Sequence, residues 1–143
     1  MCLLRNPNVQ PAFDAEGWVT AWKVVWWRKL GDIEEAQSYH QPTPFPISGR
    51  FVSNRTTEDD IEEERAADNK VYRGIHVFLD RKDADNGSRN SSTRVVEVRC
   101  HRNHLVAAGF HSSIWDIPEI EQAVFTEVTV VKIHHPEEAA ACA

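Results

Sequence analysis

Residues 18–29, Trp-Val-Thr-Ala-Trp-Lys-Val-Val-Trp-Trp-Arg-Lys, carry four of the chain's five tryptophans among β-branched neighbours. Such side chains fit a pleated, half-buried surface, and Gly31 follows as a stop, so the segment is predicted to be a strand. Alternation places Trp18, Trp22, Val24 and Trp26 on one face and Val19, Ala21, Val25 and Trp27 on the other. A strand apolar on both faces has to be covered on both: by a core on one side, and by a helix, a loop or a second subunit on the other.

Period-two alternation returns three more times. In Val71–Leu79, Val71, Ile75, Val77 and Leu79 share a core-facing side, and Tyr72, His76 and Phe78 share the opposite one. In Arg94–Arg102, Val96, Val98 and Cys100 face one way and Val95, Glu97, Arg99 and His101 the other. The last strand is expected over Ala123–Ile133, after a turn at Pro118–Gln122. Pro42, Pro44 and Pro46 around Phe45 forbid regular helix and predict an extended connection over residues 41–51. Glu58–Arg65 is a charge run with only Ile61 to bury, so it reads as a solvated face. Asp80–Ala84 begins a short helix, Asp85–Ser92 has the residues of a loop, and a loose tail is expected from about His134. Strands with so little helix between them imply an α+β fold: a mostly antiparallel sheet of four or more strands with one or two short helices. A chain of 143 residues, 41% of them hydrophobic, suits a single domain over residues 1–143.

A net charge of −6 argues against binding polymeric nucleic acid, which needs a broadly basic surface to release counterions. A small anion needs only a local patch. Three unpaired, widely spaced cysteines fit free thiols in a reducing compartment. The sequence contains no signal-peptide pattern and no apolar run of membrane-spanning length, so a cytoplasmic protein without a membrane partner is expected. Seven histidines show no paired spacing of the kind structural zinc sites use. P-loop, dinucleotide fingerprint, nucleophile elbow and His-Glu-x-x-His are all missing. The sequence therefore nominates no catalytic residue, no metal ligand and no cofactor.

It does nominate a ligand surface. Tyr72, Arg73, His76 and Phe78 on one strand, and Arg94, Arg99, His101 and Arg102 on the next, gather cationic and ring-bearing side chains in an acidic chain, with His104 beside them and only Glu97 in opposition. Guanidinium groups fork onto phosphate and stack on bases, which suits a small nucleotide-type ligand; Tyr72, Phe78, Trp22, Trp26 or Phe45 could supply a stacking ring. The competing reading is an ordinary exposed strand face whose arginines pair with the abundant carboxylates. Gly74 invites either a ligand's approach to the backbone or a bulge with close packing. Two apolar faces on the Trp strand predict a homo-oligomer.

Met1-Cys2-Leu3, then Val19-Thr20-Ala21-Trp22-Lys23-Val24-Val25, the Pro-rich segment with Gly49, Gly74-Ile75-His76-Val77-Phe78 before Asp83-Ala84, and the closing Val-rich strands resemble, in that order, a group of small phage and prophage proteins. The likeness spans most of the chain. Size and layout are also similar to the type 1 anti-Thoeris sponge proteins of phages, which bind cyclic ADP-ribose signals without cleaving them and assemble as dimers or higher oligomers. The resemblance implies a sponge in the host cytoplasm, sequestering a nucleotide-derived immune signal, with arginines and an aromatic on adjoining strands clamping pyrophosphate and adenine. No residue is transferred from that family; Phe78, Arg99 and Arg102 come from the reading of the residues. Gly74 to Ala84 also resembles the strand-then-helix run of ADP-ribosyltransferase-like folds, which implies, as a second function, an enzyme acting on a nicotinamide dinucleotide. Glu127 is the one glutamate on a late strand, and its surroundings depart from that family's motif. A protein inhibitor working through the Trp-rich strand and an acidic face is the third possibility.

Overall fold

The computed structural model describes residues 2–38, 44–53, 70–71, 74–88, 91–112 and 120–135. Its elements are β1 (Cys2–Arg5), β2 (Trp18–Leu30), β3 (Ile33–Gln37), β4 (Pro44–Phe45), β5 (Gly49–Val52), β6 (Lys70–Val71), β7 (Ile75–Phe78), helix α1 (Arg81–Gly87), β8 (Thr93–His101), a 3-10 turn (Arg102–His104), β9 (Leu105–Ser112), β10 (Glu121–Phe125) and β11 (Glu127–His134). The strands form one sheet in the order β5-β11-β8-β2-β7-β10-β9-β1-β6, with β3 and β4 continuing from β2. Neighbouring strands run antiparallel, as the short connections require. An α+β fold with little helix is what the alternating pattern predicted.

The Trp-rich strand organises the sheet. One edge of β2 pairs with β8 from Trp18 to Trp26. Its other edge meets β7 at Trp22 and then β3 from Trp26 to Leu30. The Phe45 and Phe51 rings, 4.8 Å apart, bring β4 against β5. Strands β2, β3, β4, β5, β11 and β8 therefore curl around one apolar interior that includes Ala21, Val25, Ala36, Val96, Val98, Cys100, Val128 and Val130. The opposite face of β2 is covered where Val24, Phe78 and Val95 receive Ala84 of α1. Both faces of the strand are thus used, as its composition demands.

Helix α1 starts where the Asp80 carboxylate accepts the Lys82 amide at 2.8 Å, and runs to Gly87, three residues beyond the Ala84 expected from sequence. Ala84 is its one buried residue, so a single contact line holds it to the sheet. The expected last strand, Ala123–Ile133, is two strands. At Thr126 the amide leaves the ladder to bond the His104 carbonyl at 2.9 Å, and the chain passes from the β7–β10–β9 side to the β8–β11–β5 side. No turn residue marks that break, so periodicity could not reveal it.

Lys23 lies between Ala21 and Val25 on the interior face of β2 and is buried. Its ammonium donates to the His76 carbonyl at 3.0 Å, two residues from the Trp22–Phe78 position where β2 and β7 pair. Gly74 has φ +106, and a Cβ there would sit 2.5 Å from Val124 Cγ1, so the strand break before β7 is a close packing contact. Of the two readings of Gly74, the second accounts for it. The charge run Glu58–Arg65 and most of the tail after His134 lie outside the described residues. Among those described, no helix is long and apolar enough to cross a membrane, and no group of three or more metal-ligating side chains occurs.

Candidate functional site

Alternation along β8 decides which nominated residues can meet. Arg94 shares the interior face with Val96 and Val98, whereas Arg99 and His101 point outward. Five residues of strand also separate Arg94 from Arg99, about 17 Å. The three arginines do not form one site.

Arg94 instead closes the end of the interior. Its guanidinium lies 4.0 Å from the Trp27 ring centroid and donates to the carbonyls of Ser91 and Thr93 at 2.8 and 2.7 Å. Arg94 Nε also donates to His135 Nδ1 at 3.4 Å, which leaves His135 Nε2 to donate to Glu34, 3.3 Å away. This chain of contacts ties β8 and the residue after β11 to β3, so Arg94 has a structural task. Phe78 is likewise committed, being 8% exposed under α1. His76 is buried, and its carbonyl holds Lys23. Tyr72 and Arg73 lie outside the described residues.

Arg99 and His101 do come together on Trp18, with Arg102 beside the preceding Gly17. The register sets Trp18 opposite His101 and Thr20 opposite Arg99. Arg99 Cζ is 5.0 Å from the Trp18 ring centroid, and the His101 ring meets the indole edge-on at 4.9 Å. The turn before β2 is held by Asp14, whose Oδ1 accepts the amides of Glu16 and Trp18, each at 2.9 Å. The Trp18 amide bond, with help from the nearby Arg99 charge, holds the Asp14 carboxyl below the usual carboxylate range against some desolvation. The rings nominated from sequence were Tyr72, Phe78, Trp22, Trp26 and Phe45; the cross-strand register brings Trp18 to Arg99 instead.

His101 supplies position and no charge. Its Nδ1 accepts the Asn103 amide at 3.1 Å, so that nitrogen is unprotonated and Nε2 carries the hydrogen donated to the Glu16 carbonyl at 3.0 Å. The Arg102 amide bonds the Gly17 carbonyl at 2.9 Å, completing the clasp between the 14–17 turn and the end of β8. Gly17 has φ +92, and a Cβ on it would stand 2.8 Å from His101 Nε2 and 3.1 Å from Arg102 Nε. Gly17→Ala should therefore cost about 1–3 kcal/mol, from left-handed backbone strain plus displacement of the imidazole. Urea denaturation reads this directly, and an unchanged midpoint would mean the clasp is not formed.

The charges around this patch are unevenly satisfied. Arg28 pairs with Glu35, Arg81 with Asp85, and Arg50 with Glu127, which His104 also approaches at 3.4 Å. Glu97 is 3.3 Å from His134. Among the described residues, neither Arg99 nor Arg102 enters an ion pair, and both are exposed. A guanidinium over the indole, with that of Arg102 next to Gly17, can grip an oxyanion in forked geometry and stack on a flat ring. Nucleophile and base chemistry is poorly served nearby: burial pushes the Cys100 thiol up to about 12, and Glu127 is engaged on both oxygens. No family model matches this chain, and no curated protein or solved structure does either.

Proposed function

We propose that this protein binds a small anionic ligand of the nucleotide class on the outer face of β2 and β8, through Arg99, Arg102 and Trp18, and releases it unchanged. The observation that carries the reading is that, among the described residues, neither the Arg99 nor the Arg102 guanidinium is held in an ion pair, while Arg99 lies 5.0 Å from the Trp18 ring centroid. Elsewhere in the sheet, exposed arginines have found acids; here the free charge stands next to an aromatic ring. His101, with both nitrogens engaged, fixes the indole and contributes no proton transfer.

The chain's resemblance to phage sponge proteins makes a cyclic ADP-ribose or cyclic oligonucleotide signal the first ligand class to test, in the cytoplasm of a host cell. Binding without cleavage fits the engaged state of Glu127 and the buried thiol of Cys100 better than transferase chemistry does. Titration calorimetry against cyclic ADP-ribose, cyclic dinucleotides and linear ADP-ribose should give saturable binding, with intact ligand recovered after heating the complex. Arg99→Ala or Arg102→Ala should each weaken that binding by about 1–3 kcal/mol, the range for a hydrogen bond to a charged group. A chemically altered ligand would favour the enzyme reading, and unchanged affinity in both variants would remove the site.

A further inference from the structure

We propose that a cleft on the inner face of the β2–β3 hairpin is a ligand site separate from the Arg99–Trp18 patch, and that it takes a small aromatic cation of the amidine or guanidine type. The cleft measures about 740 Å³ and is lined in part by Trp27, Glu34, Ala36, Phe45, Pro46 and Ile47. That volume falls within the range of about 300–1,000 Å³ found for small-molecule sites. Register puts its main groups on one face: Trp27 pairs with Ala36 and Ala36 with Phe45, and Glu34 lies two residues along β3 from Ala36. Trp18 and Arg99 belong to the opposite face of the sheet, as do Arg28 and Glu35.

The apolar lining is held in place before any ligand arrives. Ala36 and Phe45 are buried, and the Phe45 ring packs on that of Phe51 at 4.8 Å. The Trp27 indole is braced from outside the cleft: Arg94 Cζ lies 4.0 Å from its ring centroid, and the His135 ring meets it edge-on at 5.5 Å. Ile47, 47% exposed, adds apolar surface open to solvent. On this face the lining carries a single charge, the Glu34 carboxylate. His135 meets its Oε1 at 3.3 Å as a neutral imidazole, because Nδ1 accepts from Arg94, so the contact leaves the negative charge standing. Lys29 is opposite Glu34 in the register but makes no ion pair with it among the described residues. Arg28 and Glu35 offset each other on the far face, and Arg94 is bonded to the carbonyls of Ser91 and Thr93 outside the lining. A carboxylate accepts hydrogen bonds and never donates them, and an indole attracts cations. A flat ring bearing a forked pair of charged N–H donors meets both demands, with the ring against Trp27 and the fork on Glu34. An anion meets repulsion from the same carboxylate, and a neutral ring forgoes its charge.

Benzamidine is the probe, with benzamide as its neutral counterpart and benzoate as the anion. Titrated into the intact, isotope-labelled chain and followed by NMR, benzamidine should shift the Trp27 indole and Glu34 amide resonances saturably and leave those of Trp18 in place. Benzamide should bind about tenfold more weakly, the loss of a charged hydrogen bond, and benzoate should not bind. Glu34→Gln keeps an oxygen for His135 and should bring benzamidine down to the affinity of benzamide. Ile47→Lys sets an ammonium beside the cleft from an exposed position, so it should weaken benzamidine by about threefold with the far-UV circular dichroism unchanged. Absence of saturable benzamidine shifts, equal affinity for benzamide or benzoate, shifts centred on Trp18, or affinity untouched by both substitutions overturns the proposal.

Discussion

Gly109→Ala is expected to destabilise this protein by about 3 kcal/mol or more, at the upper end of single-substitution effects. Gly109 sits in β9 opposite Arg5 of β1 and Gln122 of β10. A Cβ built there would overlap the carbonyl oxygen of Leu4, with Leu4 C and Arg5 Cα also within 3 Å. Those are backbone atoms of a strand paired on both sides, so no rotamer change relieves the clash; β1 has to lift off. Leu3, fully buried with Val106, Ala107 and Val124, would be pulled from its cluster. Gly31→Ala is the contrast: φ is +64, but nothing lies within 4 Å of the added methyl, so only the backbone term of about 1 kcal/mol applies. Equal denaturation midpoints for the two variants would show that β1 does not lie across β9.

The second large effect comes from Lys23. Burial lowers its amine from 10.5 to about 8. Between those values the unfolded chain holds a proton that the folded chain lacks, so stability rises with pH above about 8, by roughly 1.4 kcal/mol per unit. Cys100 acts in the opposite sense: burial raises its thiol from 9.0 to about 12, so above pH 9 the folded chain keeps a proton that the unfolded chain loses. From about 9 to 10.5 the two slopes cancel, and the wild-type rise is confined to roughly one unit. Removing the thiol with Cys100→Ala should let the rise continue to about pH 10.5, for a total near 3 kcal/mol. Adding Lys23→Met should flatten the profile. It should also stabilise the protein at neutral pH, because the desolvation cost of the ammonium exceeds the roughly 1 kcal/mol lost with its bond to the His76 carbonyl. Urea titrations of the single and double variants across pH 7–11 check this, and a flat Cys100→Ala profile would place the ammonium in water.

The long, regular features were legible in the sequence. The two apolar faces of β2, the alternation of Val96, Val98 and Cys100, and the inward pair Ile75 and Val77 are all where period two puts them. What escaped was set by partners distant in sequence. The short strands β1, β4 and β6 exist because neighbouring strands offer them an edge, and Leu4 or Lys70 carries no local sign of it. Lys23 is buried on the face of Ala21 and Val25, and only the position of His76 shows why an ammonium is tolerated there. For the ligand surface, alternation already separated Arg94 from Arg99, but clustering by sequence distance outweighed it. The choice of Phe78 as a stacking ring overlooked the helix that follows it, whose Ala84 needs an apolar seat. Trp18 was recognisable in principle, since an antiparallel pairing of the two longest strands brings one end of β2 to the far end of β8.

The order in which these strands find partners has a consequence during synthesis. β1 is completed by β9 and β2 by β8, so the first 30 residues wait for the segment between residues 93 and 112 to leave the ribosome. Until then the four tryptophans of β2 have the local β3 hairpin and the single Trp22–Phe78 pairing with β7 for company. Pairings of such long sequence separation belong to the slow, millisecond-to-second class of folding reactions. The nascent chain thus carries an unpaired, Trp-rich strand until β8 has emerged, an exposure that favours aggregation during synthesis.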